Sequence, residues 1–171
     1  MGESVQTGQS LRKLIGVSIC VAAGLVLAPL LVINLGFAKA FPVQHMLNVF
    51  LAVLFGTSYS TGGAFALSSL RNLMGTGTIL AYPGSLFGAL FAGILYRRTG
   101  SILAACLGEV IGTGLVGGYV AYLIAVNVLG SNIAATAMLI PFLTSSAAGA
   151  ILAGVVLIGM PASLRRAIQG K

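Results

Sequence analysis

Residues 101–126 read SILAACLGEVIGTGLVGGYVAYLIAV, a run with a single charge, Glu109. As a helix it would reach about 39 Å at 1.5 Å per residue, against roughly 30 Å for a bilayer's hydrocarbon. Working outward, Asn127-Val128-Leu129-Gly130-Ser131-Asn132 supplies turn residues, and residues 133–164 form a second long run with no charge at all. Upstream lies a third, residues 14–33, and shorter apolar stretches occupy 45–57, 62–75 and 83–96. Only 6% of the 171 residues are charged and 58% are hydrophobic, too few polar groups to cover a water-facing surface. A soluble domain is therefore excluded. The reading is an all-α integral membrane bundle of six transmembrane helices over the six stretches just given.

Six spans return both termini to one side. Arg12, Lys13, Arg97, Arg98, Arg165, Arg166 and Lys171 then share a face, opposite Lys39 and Arg71, and the excess of basic residues makes that face cytoplasmic. One membrane domain is expected, with tails at 1–11 and 167–171 flanking a bundle at 12–166. Ala38-Lys39-Ala40 imitates a signal-peptidase site, but the 20-residue run before it exceeds the 7–15 residues of a signal core and reads as a span. The net charge of +7 thus reports topology rather than affinity for nucleic acid. The chain has no Asp and one histidine, His45, which excludes a multi-ligand metal site and a Ser-His-Asp triad. No metal, cofactor or enzymatic activity is expected. Cys20 and Cys106 sit in apolar runs and read as small packing residues.

The informative residues are the polar ones that such a chain retains. Arg71-Asn72-Leu73-Met74-Gly75-Thr76-Gly77-Thr78-Ile79-Leu80-Ala81-Tyr82-Pro83-Gly84-Ser85 interrupts the apolar pattern. An arginine at the edge of hydrocarbon is costly, by about 3 kcal/mol or more at a helix centre, and so usually faces a partner, water or a ligand. Counted from the span starts, Arg71 and Glu109 lie at comparable heights, which puts an Arg71–Glu109 pair within geometric reach. Gln44, His45 and Asn48 share one helical face at the outer start of the second span, so these polar groups converge on the outer half. Tyr82 suits the interfacial belt or a stacking wall, and Thr113 and Tyr119 are further wall candidates. The loop 75–78 lacks the lysine and spacing of a phosphate-binding loop, so the chain does not itself use ATP. Small residues recur at four-residue intervals along the first span (Gly16, Cys20, Gly24, Ala28), the fourth (Gly84, Gly88, Ala92) and the fifth (Gly108, Gly112). Such stripes let helices approach closely in lipid. On the first span the stripe serves either bundle packing or the docking of another subunit.

Three blocks, 41–49 (FPVQHMLNV), 71–85 and 108–114 (GEVIGTG), give the chain a strong resemblance to the S components of energy-coupling factor (ECF) vitamin transporters, most closely the ThiW family. The resemblance covers about residues 14–166. It implies a substrate-binding protein in a prokaryotic plasma membrane that takes up hydroxyethylthiazole, the thiazole precursor of thiamine. Its partners would be a transmembrane coupling subunit and two cytoplasmic ATPases. It implies substrate contacts from Gln44, His45, Asn48, Arg71, Asn72, Tyr82, Ser85, Glu109 and Thr113, a cap formed by 34–43, and docking of the coupling subunit on Gly16, Cys20 and Gly24. The residues alone leave three other readings open. These are uptake of another heteroaromatic precursor, a stand-alone proton-coupled transporter using Glu109, and an assembly protein that binds no ligand.

Overall fold

The computed structural model describes the backbone of residues 2–36 and 38–170 and side chains from residue 7 onward, so Lys171 of the basic face lies outside the described residues. Helices dominate, and the fold is all-α apart from one short hairpin. The bundle helices are α1 (Gly2–Leu27), α2 (Pro42–Leu54), α3 (Thr57–Leu73), α4 (Ala81–Thr99), α5 (Ile102–Asn127) and α6 (Ala135–Gly159). A short amphipathic α7 (Ala162–Gln169) follows. The 7–27 part of α1, α5 and α6 are long and apolar enough to cross a membrane.

Several boundaries differ from the sequence reading, each at a proline or glycine. Residues 2–11, expected as a tail, continue α1, whereas the helix stops short of Pro29, which disfavours helical backbone in the residue before it. The chain then forms an antiparallel hairpin, β1 (Ile33–Asn34) with β2 (Lys39–Ala40), rather than finishing the first span. Pro161 splits the expected sixth span into α6 and α7. Gly56, at φ 97°, makes the tight α2–α3 turn that a side chain would strain.

With 13 residues and about 20 Å of length, α2 is too short to span lipid alone. It is instead the axis of the bundle: eleven of its residues are buried, and α1, α3, α4, α5 and α6 all pack on it. Around this axis α4 and α5 meet backbone to backbone. A Cβ at Gly108 would stand 2.6 Å from the Phe91 carbonyl oxygen, and one at Gly112 would overlap the Phe87 carbonyl oxygen. The contact spans a π-helical segment, Val110–Gly117, within α5. π-Segments often accompany functional sites, and this one begins immediately after Glu109.

The stripe on α1 faces inward. A Cβ at Gly16 would lie 2.6 Å from the Phe55 ring, one at Gly24 would overlap Leu47, and Cys20 packs against the Val17–Val21–Leu51 cluster. These residues therefore close α1 onto α2 and α3, the bundle-packing role that the sequence left open beside docking. The basic residues sort by end. Lys13 and Arg97 surround a cavity at the C-terminal end of α2 with Gln169, while Lys39 and Arg71 line another at its N-terminal end.

Candidate functional site

The N-terminal end of α2 floors a cavity of about 280 Å³. The hairpin delivers Lys39 and Phe41 to one wall, the 75–78 loop forms a second, and α6 supplies Pro141, Phe142 and Ser145. Two rings, Phe41 and Phe142, thus line a space that Gln44, His45 and Arg71 enter. Such a mix of apolar walls and a few convergent polar groups is typical of small-molecule sites.

Arg71, 3% exposed, organises the wall. Its Nη1 donates to Gln44 Oε1 (2.5 Å) and its Nη2 to the Thr76 carbonyl (2.9 Å), tying α3, α2 and the loop together. The guanidinium lies 4.4 Å from the centroid of the Phe41 ring, a cation–π contact. Gln44 passes the chain on, its Nε2 donating to Ser68 Oγ at 2.9 Å. The Phe41 amide donates to Ser145 Oγ (3.0 Å), which anchors the hairpin to α6.

Below the cavity floor lies a second polar layer centred on Glu109, which is fully buried. Its Oε1 meets His45 Nδ1 at 2.8 Å, Asn48 Nδ2 at 3.1 Å and Thr113 Oγ1 at 2.8 Å. Asn48 also donates to the Ser85 carbonyl on α4, and the single hydroxyl hydrogen of Thr113 serves either Glu109 or the Gly84 carbonyl, also 2.8 Å away. Gly88 makes room for the cluster, since a Cβ there would stand 2.6 Å from both carboxylate oxygens and overlap Thr113 Oγ1. Glu109 Oε2 and Ser85 Oγ remain buried without partners. His45 connects the layers, because it both lines the cavity and touches the carboxylate.

A membrane-type bundle with a cavity of small-molecule size does not by itself name a function, and sequence comparison supplies one. The family described as thiamine-precursor transporter protein (ThiW) matches residues 14–162 of the chain. The chain belongs to the ThiW family. No curated protein and no solved structure matches it. As a ThiW protein it is a membrane transporter of a small thiamine precursor, and not an enzyme.

Within this ThiW chain the residues singled out from sequence fall into three groups. Gln44, His45 and Arg71 line the cavity. Asn48, Ser85, Glu109 and Thr113 form the layer beneath it, and among them Glu109 pairs with His45 rather than with Arg71. Asn72 and Tyr82 lie elsewhere. The Asn72 amide donates to the Ser68 and Thr78 carbonyls, bracing the loop from outside. Tyr82 donates to Ser69 Oγ (3.0 Å), and its ring tilts against Phe65, 5.8 Å away, on a shallow groove shared with Leu86 and Ile124. It is therefore no wall of the cavity, and Tyr119, 52% exposed, is not one either. Of the rings that do line it, Phe41 lies within the expected 34–43 cap without having been singled out, and Phe142 lies outside every segment expected at the site. Phe41 stands immediately before Pro42, and Phe142 immediately after Pro141, inside α6. An aromatic residue beside a helix-perturbing proline was the available signal.

Proposed function

We propose that the chain is the substrate-binding S component of an ECF importer in a prokaryotic plasma membrane, and that its cavity takes hydroxyethylthiazole. On this reading six spans place both termini in the cytoplasm and open the cavity to the outside. The coupling subunit with its two ATPases would then meet what α1 leaves exposed, including Ile15, Ile19 and Val26, since the glycine stripe is turned inward. The observation that carries the substrate is the cavity's charge: among the described residues Arg71 and Lys39 line it and no carboxylate does, Glu109 lying beneath the floor behind His45. A neutral heteroaromatic alcohol suits two phenylalanine rings and hydrogen-bonding groups, whereas thiamine brings a permanently cationic thiazolium. A positive charge about 6 Å from a guanidinium, at an effective dielectric of about 20, costs about 3 kcal/mol, or roughly 100-fold in affinity.

The test is equilibrium binding to the purified protein. Hydroxyethylthiazole is expected to bind, and thiamine at least about 100-fold more weakly. Preference for thiamine, or for the hydroxymethylpyrimidine precursor, contradicts the assignment. A second reading, proton-coupled transport by this chain alone, draws support from the buried Glu109 and its link to the cavity through His45. Uptake into vesicles that hold only this protein under a proton gradient would favour it over the ECF reading.

A further inference from the structure

His45 reaches the cavity with one side of its ring and Glu109 with the other. Its Nδ1 lies 2.8 Å from Glu109 Oε1, and no protein group among the described residues meets its Nε2. A carboxylate oxygen only accepts hydrogen bonds, so it places the neutral ring's hydrogen on Nδ1 and leaves a lone pair on Nε2. Thr113 Oγ1 also stands 3.4 Å from Nδ1, but its hydrogen is taken by the Gly84 carbonyl or by Glu109, each 2.8 Å away. Asn48 holds the same carboxylate oxygen from the far side. The geometry thus fixes the orientation of the imidazole and leaves Nε2 as the ring nitrogen without a protein partner among the described residues.

We propose that Glu109 is a positioning residue that acts through His45, making Nε2 the hydrogen-bond acceptor that reads the ligand's hydroxyl. This inference rests on the cavity being the site of a thiazole alcohol and adds the atom that selects for the alcohol. Of the cavity's other polar lining, Arg71 and Lys39 only donate, while the Thr76, Thr78 and Ser145 hydroxyls both donate and accept. His45 adds an acceptor whose direction is held by a buried carboxylate, which distinguishes a hydroxyl from an ether or an alkyl group of similar shape.

The experiment compares three probes on the full chain in detergent or lipid: hydroxyethylthiazole, its O-methyl ether, and 5-ethyl-4-methylthiazole. The unmodified protein is expected to favour the alcohol over the ether and the alkyl compound by about 10-fold or more, the effect of leaving one buried acceptor unpaired. In Glu109→Gln the amide can donate to Nδ1 and turn the tautomer around, so the alcohol-to-ether ratio is expected to fall to near unity, chiefly by loss of alcohol binding. His45→Phe, which keeps a ring and removes both nitrogens, is expected to give the same ratio if the glutamine variant does not fold. A merely structural role for Glu109 would weaken all three probes alike and overturns the proposal. Equal affinity of the unmodified protein for alcohol and ether overturns it as well, while leaving the substrate assignment intact. Absence of any thiazole binding removes the assignment, and this proposal with it.

Discussion

Gly88→Ala is expected to abolish ligand binding and to lower the thermal midpoint of the solubilised protein by roughly 10 °C. The added methyl group would overlap the Thr113 hydroxyl and stand 2.6 Å from both oxygens of Glu109, atoms that are packed between helices and cannot swing away. Overpacking of this kind costs about 1–3 kcal/mol. Displacing the carboxylate also breaks its bonds to His45, Asn48 and Thr113, where hydrogen bonds to a charged group contribute about 1.5–3 kcal/mol each. A combined loss of about 3 kcal/mol or more shifts a domain of this size by several degrees and removes the acceptor that orients His45. The control is Gly62→Ala on α3, where nothing lies within 4 Å of the new Cβ. Its binding and midpoint are expected to match the parent, as read by ligand titration and thermal unfolding. Equal behaviour of the two variants would contradict the packing described around Glu109.

The second large effect is expected at Arg71. Replacement by alanine leaves Gln44 Oε1 and the Thr76 carbonyl without donors and uncovers the Phe41 ring. Both bonds lie within the protein, so their loss, about 1.5 kcal/mol or more each, acts on Kd through the disorder of the cavity wall that binding must then restore, a rise expected to approach about 100-fold. Arg71→Lys is not a conservative rescue, because an ammonium lacks the planar fork that reaches Gln44 and Thr76 at once while stacking on a ring. It is expected to lose about 10-fold or more, the equivalent of one of those bonds. Lys39, which lies exposed at the rim, is expected to matter far less: Lys39→Ala changes Kd by only a few-fold, in line with weak surface charge interactions. Titration with hydroxyethylthiazole orders the three variants, and an Arg71→Ala protein that binds like the parent would contradict the role given to the guanidinium.

Much of the fold is written in the sequence because lipid imposes so few solutions. Helices follow from long uncharged runs, and their ends from Pro29, Pro42, Gly56, Gly100 and Pro161. Local helical spacing also suffices to place Gln44, His45 and Asn48 on one face of α2, and Glu109 one turn from Thr113 on α5. What the sequence hides is relative depth and rotation. Arg71 and Glu109 had comparable heights when counted from span starts at 62 and 101. With α3 beginning at Thr57 and α5 at Ile102, Arg71 is 14 residues along and Glu109 only seven. That is about 21 Å against about 10 Å, so the two cannot meet and Glu109 turns to His45 instead.

Rotation misleads for a related reason. On α1 both faces are apolar, so composition does not say which faces the bundle. Gly16 and Gly24 point inward because Phe55, Leu47 and Leu67 need the room. Tyr82 shows the same limit, since its ring finds Phe65 on the outside of α3 although its immediate predecessors, Leu80 and Ala81, line the cavity. One of the cavity's rings, Phe41, stands at the hairpin end just ahead of Gln44 and His45, whereas Phe142 comes from α6, far in sequence from every polar motif. Only the packing of α6 on α2, where Gly149 lets the helices meet at Pro42 and His45, brings them together.

The most direct test is a structure of the protein in lipid, solved with hydroxyethylthiazole at saturating concentration. The ring is expected between Phe41 and Phe142, with its hydroxyl in hydrogen-bonding reach of His45 Nε2 and the His45–Glu109 contact preserved. A ligand seated instead in the apolar groove that Leu14, Val17, Leu25, Tyr59 and Leu70 line between α1 and α3, or a cavity left empty at saturation, would contradict the site assigned here.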